Sequence, residues 1–139
     1  MDNYMIRLNS AKEGINELLE SKSYDFATLR PSDLEEKLPV VYAIFDKSDG
    51  SCLYVGRTKD LRRRLYTNHL MGPVTNARLK KYLIGDDDFP DINSLADAKK
   101  FLISRCCFKY LAVPDVRARG QLEGLLSYLL DVRYIHEEH

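Results

Sequence analysis

Val40-Val41-Tyr42-Ala43-Ile44-Phe45, Asp46-Lys47-Ser48-Asp49-Gly50 and Ser51-Cys52-Leu53-Tyr54-Val55-Gly56 are consecutive, and their reading decides the fold. The first run is apolar on both faces, as a central strand is. Lys47 to Gly50 is a turn, and Ser51 to Val55 is the return strand of a hairpin. Loop length sets which side chains share a face. A two-residue Asp49-Gly50 loop pairs Ser48 with Ser51 and sends Tyr42 and Tyr54 to opposite faces. A three-residue Ser48-Asp49-Gly50 loop pairs Lys47 with Ser51 and makes the tyrosines diagonal neighbours on one face. That longer loop wants glycine at its last, left-handed position, where Gly50 stands.

A basic run follows directly: Arg57-Thr58-Lys59-Asp60-Leu61-Arg62-Arg63-Arg64-Leu65. Lys59 to Leu70 reads as a helix with Leu61 and Leu65 inward. At about 100° per residue, Arg62 and Arg64 flank that stripe on either side and Arg63 points to solvent. This geometry leaves Arg62 and Arg64 equivalent. Arginine holds phosphate through a planar, permanently charged fork, and tyrosine can act as acid, base or orienting hydroxyl. Tyrosines beside arginines therefore suit a site that handles phosphodiesters.

The chain of 139 residues is the length of one domain with one core, and an apolar fraction of 45% argues against global disorder. No apolar run is long enough for a membrane span. Met1-Asp2-Asn3-Tyr4 lacks the basic and apolar regions of a signal peptide. Cys52 stands alone and Cys106-Cys107 are adjacent in an apolar strand, so the cysteines read as core and the expected setting is reducing and cytoplasmic. Net charge is zero, yet Arg57 to Lys81 holds eight Lys or Arg and one acid, Asp60. Such a patch can hold a polyanion locally. The plainer alternative is a solvated helix face.

The remaining elements follow from pattern. Ser10 to Glu20 is a helix capped by Ser10 and Glu13. Asn76 to Ile84 is a helix beyond the Gly72-Pro73 break, and Ser94 caps another through Ile103. Cys106 to Val113 is a strand. Pro114 opens a final helix with Leu122, Leu125, Leu126, Leu129 and Leu130 at helical spacing. The expected fold is α+β: a small three-stranded antiparallel sheet flanked by helices, with an N-terminal helical extension over 1–38 and the main domain over 39–139.

With these residues in place, the chain resembles the GIY-YIG nuclease family. Val40-Val41-Tyr42 stands where that family has Gly-Ile-Tyr, and Tyr54-Val55-Gly56 where it has Tyr-Ile-Gly. The resemblance places the family's helix arginine at Arg64, eight residues after Gly56. It places the family's metal-binding glutamate at Glu123, and it covers about Leu38 to Tyr134. Relatives often carry His or Tyr one turn after the arginine. Asn68 holds that position here, so either His69 swings in or this helper is missing. Relatives also often carry a late asparagine, which the tail from Arg133 to His139 lacks.

The resemblance implies an endonuclease that uses Mg²⁺ or Mn²⁺ to hydrolyse DNA. Glu123 would hold the metal, and Tyr42, aided through His69, would be the general base. Tyr54 would orient the nucleophile or phosphate, and Arg64 would stabilise the phosphoryl oxygens. Arg57, Lys59, Arg62, Asn68, Lys80 and Lys81 would bind the DNA backbone. One glutamate suffices for magnesium, which also takes waters and substrate phosphate. The alternative for Glu123 is a helix ion pair with Arg119. His136 and His139 read as solvated. Sequence specificity would need a homodimer or a reading element before Pro39. Two rival functions remain: a non-catalytic nucleic-acid-binding domain with the same fold, and a protein-interaction module whose basic face meets an acidic partner.

Overall fold

A computed structural model describes residues 2–72 and 78–135. Its sheet has four antiparallel strands, not three: β1 (Tyr24–Asp25), β2 (Val40–Asp46), β3 (Cys52–Thr58) and β4 (Cys106–Ala112), in the order β1-β4-β2-β3. The extra strand comes from the N-terminal extension. Its two residues pair with Phe108 and Cys107, and the Tyr24 ring stacks on Phe108 at 5.4 Å. Two residues are too few to show a strand's alternation, so β1 exists through pairing and stacking across the chain.

β2 is central, flanked by β3 and β4, and Val40 to Ile44 are all buried, as an apolar run on both faces requires. The α-helices among the described residues are α1 (Asn3–Glu20), α2 (Arg78–Ile84), α3 (Leu95–Arg105) and α4 (Val116–Leu129). α1 begins seven residues before Ser10. The reason is Asp2, whose carboxylate accepts from the Met5 amide and caps the first turn. Ser94 caps α3 as expected, accepting from the Asp97 amide. α4 starts two residues after Pro114, with Asp115 as its cap, accepting from the Ala118 amide.

Apolar cores lie on both faces of the sheet. Tyr42, Ile44, Leu61, Leu65, Leu79, Leu83, Leu102 and Phe108 form one, with Phe26 and Leu34 of the extension. Val41, Ala43 and Cys52 form the other, under Ile15 and Leu18 of α1 and Leu126 of α4. The three cysteines are free and buried, and burial pushes the Cys52 and Cys106 thiols up to about 12. No helix among the described residues is long and apolar enough to cross a membrane.

The hairpin closes differently from either expected loop. The Asp46 amide bonds the Ser51 carbonyl around a four-residue loop, Lys47 to Gly50, with Gly50 at φ 76°. A bulge then inserts one residue between Tyr54 and Cys52, opposite the Ile44–Phe45 step. The extra loop residue and the bulge offset each other. Beyond the bulge, Ile44 pairs with Tyr54 and Tyr42 with Gly56, the register that puts both tyrosines on one face.

The helix after β3 holds the main surprise. From Arg63 to Leu70 it is a π-helix, and the Met71 amide reaches back five residues to the Tyr66 carbonyl. Such winding is rare and recurs at functional sites. Asp60, the acid of the basic run, caps this segment by accepting from the Arg63 amide.

Candidate active site

Tyr42 is the natural origin of the site. It lies on the central strand, 2% exposed, with its side chain directed to the face covered by the π-helix. Its cross-strand partner is Gly56. A Cβ at residue 56 would stand inside van der Waals contact of the Tyr42 ring, 2.9 Å from Cε2 and nearer still to Oη. The glycine therefore lets the phenol lie flat across β3. Tyr54 is the diagonal neighbour, with ring centroids 6.4 Å apart.

His69 completes the cluster. It is fully buried, edge-on to both tyrosine rings at 5.4 and 5.2 Å, and Nε2 lies 2.6 Å from Tyr42 Oη. The two readings left open for this histidine resolve to the first, since His69 does turn in. In an α-helix, residue 68 follows Arg64 by one turn. In a π-helix, closed by i to i+5 bonds, residue 69 does. Asn68 lines the neighbouring cleft instead. Nδ1 of His69 is buried without a hydrogen-bond partner among the described residues.

Burial dominates the electrostatics. It pulls His69 down to about 3, and the charges of Arg64 and Lys80 push the same way, so the imidazole is neutral at neutral pH. Burial likewise pushes Tyr42 well above the ordinary phenol value. Tyr54 and Glu123 add to that rise, while Arg64 opposes it. Burial raises Tyr54, with Arg64 again opposing and Glu123 contributing upward. Arg64 and Glu123, far apart in sequence, thus both act on the two tyrosines.

Glu123 comes from the opposite layer, on α4, which packs against β3 and β2. Its carboxyl is half-buried and raised by burial, with the Arg57 guanidinium opposing. Arg57 lies against α4 at Gly120, where any Cβ would collide with Nη1. The glycine makes room for the arginine beside Glu123. Arg119 does not turn down the helix toward Glu123. It is buried, and Nη1 donates to the Val113 and Pro114 carbonyls at 3.1 and 3.0 Å. Among the described residues no three metal-ligating side chains cluster.

Next to this centre opens a cleft of about 740 Å³ lined by Arg57, Lys59, Arg63, Arg64, Asn68 and Arg119, among others. The tertiary structure separates the two arginines that helical geometry left equivalent. Arg64 lines the cleft. Arg62 turns to the N-terminal extension, donating from Nε to the Leu34 carbonyl at 2.9 Å and pairing with Glu36. Arg63 is exposed, as expected, and also lines the cleft.

Lys80 departs furthest from expectation. It is 2% exposed, and its ammonium donates to the Leu70 and Gly72 carbonyls, both at 2.8 Å. These carbonyls terminate the π-helix, where a cation also suits the helix dipole. Lys80 is therefore a cap and offers nothing to a DNA backbone. Lys81 is exposed, and so is Lys59. Sequence reading missed the Lys80 cap and the glycine cradles because each depends on a partner in another element. His136 and His139 lie outside the described residues.

Residues 38–94 match the family model of the GIY-YIG catalytic domain. The matched segment contains Tyr42, Tyr54, Arg64 and His69, and Glu123 lies beyond it. No curated protein and no solved structure matches the chain.

Proposed function

We propose, from the match of residues 38–94 to the GIY-YIG catalytic domain, that this protein is an endonuclease that hydrolyses DNA phosphodiester bonds with Mg²⁺ or Mn²⁺. The observation that carries the reading is the 2.6 Å contact between Tyr42 Oη and neutral, buried His69, a phenol on which Arg64 and Glu123 both act electrostatically.

The residues fit a divalent cation. Glu123 is a desolvated carboxylate short of compensating charge, and magnesium commonly takes one or two carboxylates, the rest of its shell being water and phosphate. When bound at Glu123, the cation supplies stabilisation of the leaving oxygen and of developing negative charge. The protein's own groups do the rest. Arg64 holds the phosphoryl oxygens as their charge grows. Tyr54 orients the attacking water or the phosphate. Tyr42 takes a proton from the water at Oη while its own proton passes to Nε2 of His69. Burial and the charges of Arg64 and Lys80 resist a cationic His69 in the free protein. Substrate phosphate against Arg64 offsets part of that positive charge, so the base strengthens when substrate is present.

Arg57, Lys59, Arg63 and Lys81 would hold the flanking backbone. The test is incubation with supercoiled, branched and single-stranded DNA in Mg²⁺, Mn²⁺ or EDTA. Metal-dependent nicking of at least one substrate is expected. Salt-sensitive binding without cleavage would instead select the non-catalytic binding domain.

A further inference from the structure

The short helix α2 has one face in the core and one outside it. Leu79, Lys80 and Leu83 are buried. Arg78, Lys81 and Tyr82 lie at i, i+3 and i+4 and so share the other face. Arg78 and Lys81 are exposed, and Tyr82 is half-buried. An aromatic ring beside two cations is a pairing that holds single-stranded nucleic acid, the cations taking phosphates and the ring taking a base.

The Tyr82 ring is also backed by a fixed surface. It lies flat on Tyr134, with centroids 5.3 Å apart and planes 10° apart. Tyr134 is pinned at both ends: Oη donates to Asp86 at 2.7 Å, and its amide donates to the Leu53 carbonyl at 3.1 Å. Leu53 precedes Tyr54, so this platform adjoins the candidate active site. The Arg78 charge acts on Tyr54, and the Tyr82 phenol is near enough to influence Tyr54's ionisation. Beyond Tyr134, Arg133 ties Asp86 and Asp88 together, and Asp88 remains 77% exposed. That acidic margin would repel the second backbone of a duplex. Asp60 is the one acid among the residues that line the arginine cleft.

Resting on the nuclease reading of the same site, we infer that the outer face of α2 binds an unpaired DNA strand, with a base next to the scissile phosphate stacked on Tyr82. The substrate class is then a junction: duplex along the arginine cleft and a single strand across α2.

Affinity in EDTA tests this without cleavage. A splayed-arm DNA and a fully paired DNA of the same strand sequence are compared by fluorescence anisotropy, using the parent protein, Tyr82→Phe, Tyr82→Leu and Tyr82→Ala. The splayed arm should bind about tenfold tighter, the range of one stacked base. Tyr82→Phe should keep that preference. Tyr82→Ala should reduce it to within twofold, and so should Tyr82→Leu, which retains bulk against Tyr134 if alanine unfolds the helix. Equal binding of the two DNAs by the parent, or a preference that survives Tyr82→Leu, would overturn the inference. Preference without cleavage of any DNA in Mg²⁺ or Mn²⁺ would refute catalysis alone. Cleavage without preference would refute the stacking site alone.

Discussion

His69 meets Tyr42 at 2.6 Å because the helix that carries it is wound with five-residue hydrogen bonds. The winding moves the imidazole into the phase that an α-helix would assign to Asn68. Lys80 holds the end of that helix by its carbonyls, and Gly56 leaves room for the phenol on the other side. The contact is therefore a product of three separate elements.

Exchanging the two helix residues tests the winding. His69→Asn should lower the cleavage rate by about 100-fold or more, as loss of a proton-transfer group does. The double variant Asn68→His/His69→Asn should remain as slow, because position 68 faces the cleft. Recovery of activity in the double variant would mean that the helix is α-wound in solution.

The buried histidine also makes stability acid-sensitive. Its folded value lies near 3, below the ordinary 6.5. The folded state thus excludes a proton that the unfolded state takes up. The stabilisation is present above pH 6.5 and is lost as pH falls toward 3. By linkage the loss between pH 7.5 and pH 5 is about 2 kcal/mol. Thermal unfolding across that window should show the slope in the parent and lose it in His69→Phe. An identical slope in both would show that His69 is not held neutral.

Arg64 and Arg62 should separate cleanly. Arg64→Ala should reduce the rate about 100-fold or more, by analogy with other charge-stabilising donors. Arg62→Ala should lower stability by about 1 kcal/mol through its lost bonds to Leu34 and Glu36 and change the rate little. Single-turnover rates and chemical denaturation measure the two effects. A slow Arg62→Ala beside a normal Arg64→Ala would reverse the assignment.

Glu123→Gln should abolish metal-dependent cleavage while DNA affinity in EDTA stays nearly intact, since phosphate contacts supply most of that affinity. Full activity in this variant would remove Glu123 from the site.

Salt dependence should report the basic face. With about four to five phosphates neutralised, log K should fall against log salt with a slope near −4. Lys81→Ala should flatten it by about one unit. Lys80→Ala should instead cost about 1–3 kcal/mol of stability, because two buried carbonyls lose their donor. Equal flattening by both variants would place Lys80 at the surface.

The hairpin, its paired tyrosines, the arginine helix and the leucine-rich final helix were legible in residues 40–65 and 115–130, because strand alternation, a turn glycine and helical spacing are local. The shared tyrosine face was also legible, although a four-residue loop and a bulge produce it in place of the three-residue loop that the turn chemistry favoured. β1 was invisible, since two residues form a strand only against a partner some 80 positions away. The choice between Arg62 and Arg64 needed Leu34 and Glu36, and the fate of Lys80 needed the end of another helix. Local sequence determined which elements form and which residue types they present. Contacts across the chain decided which of those residues face one another, because burial and hydrogen-bond partners are properties of the packed whole.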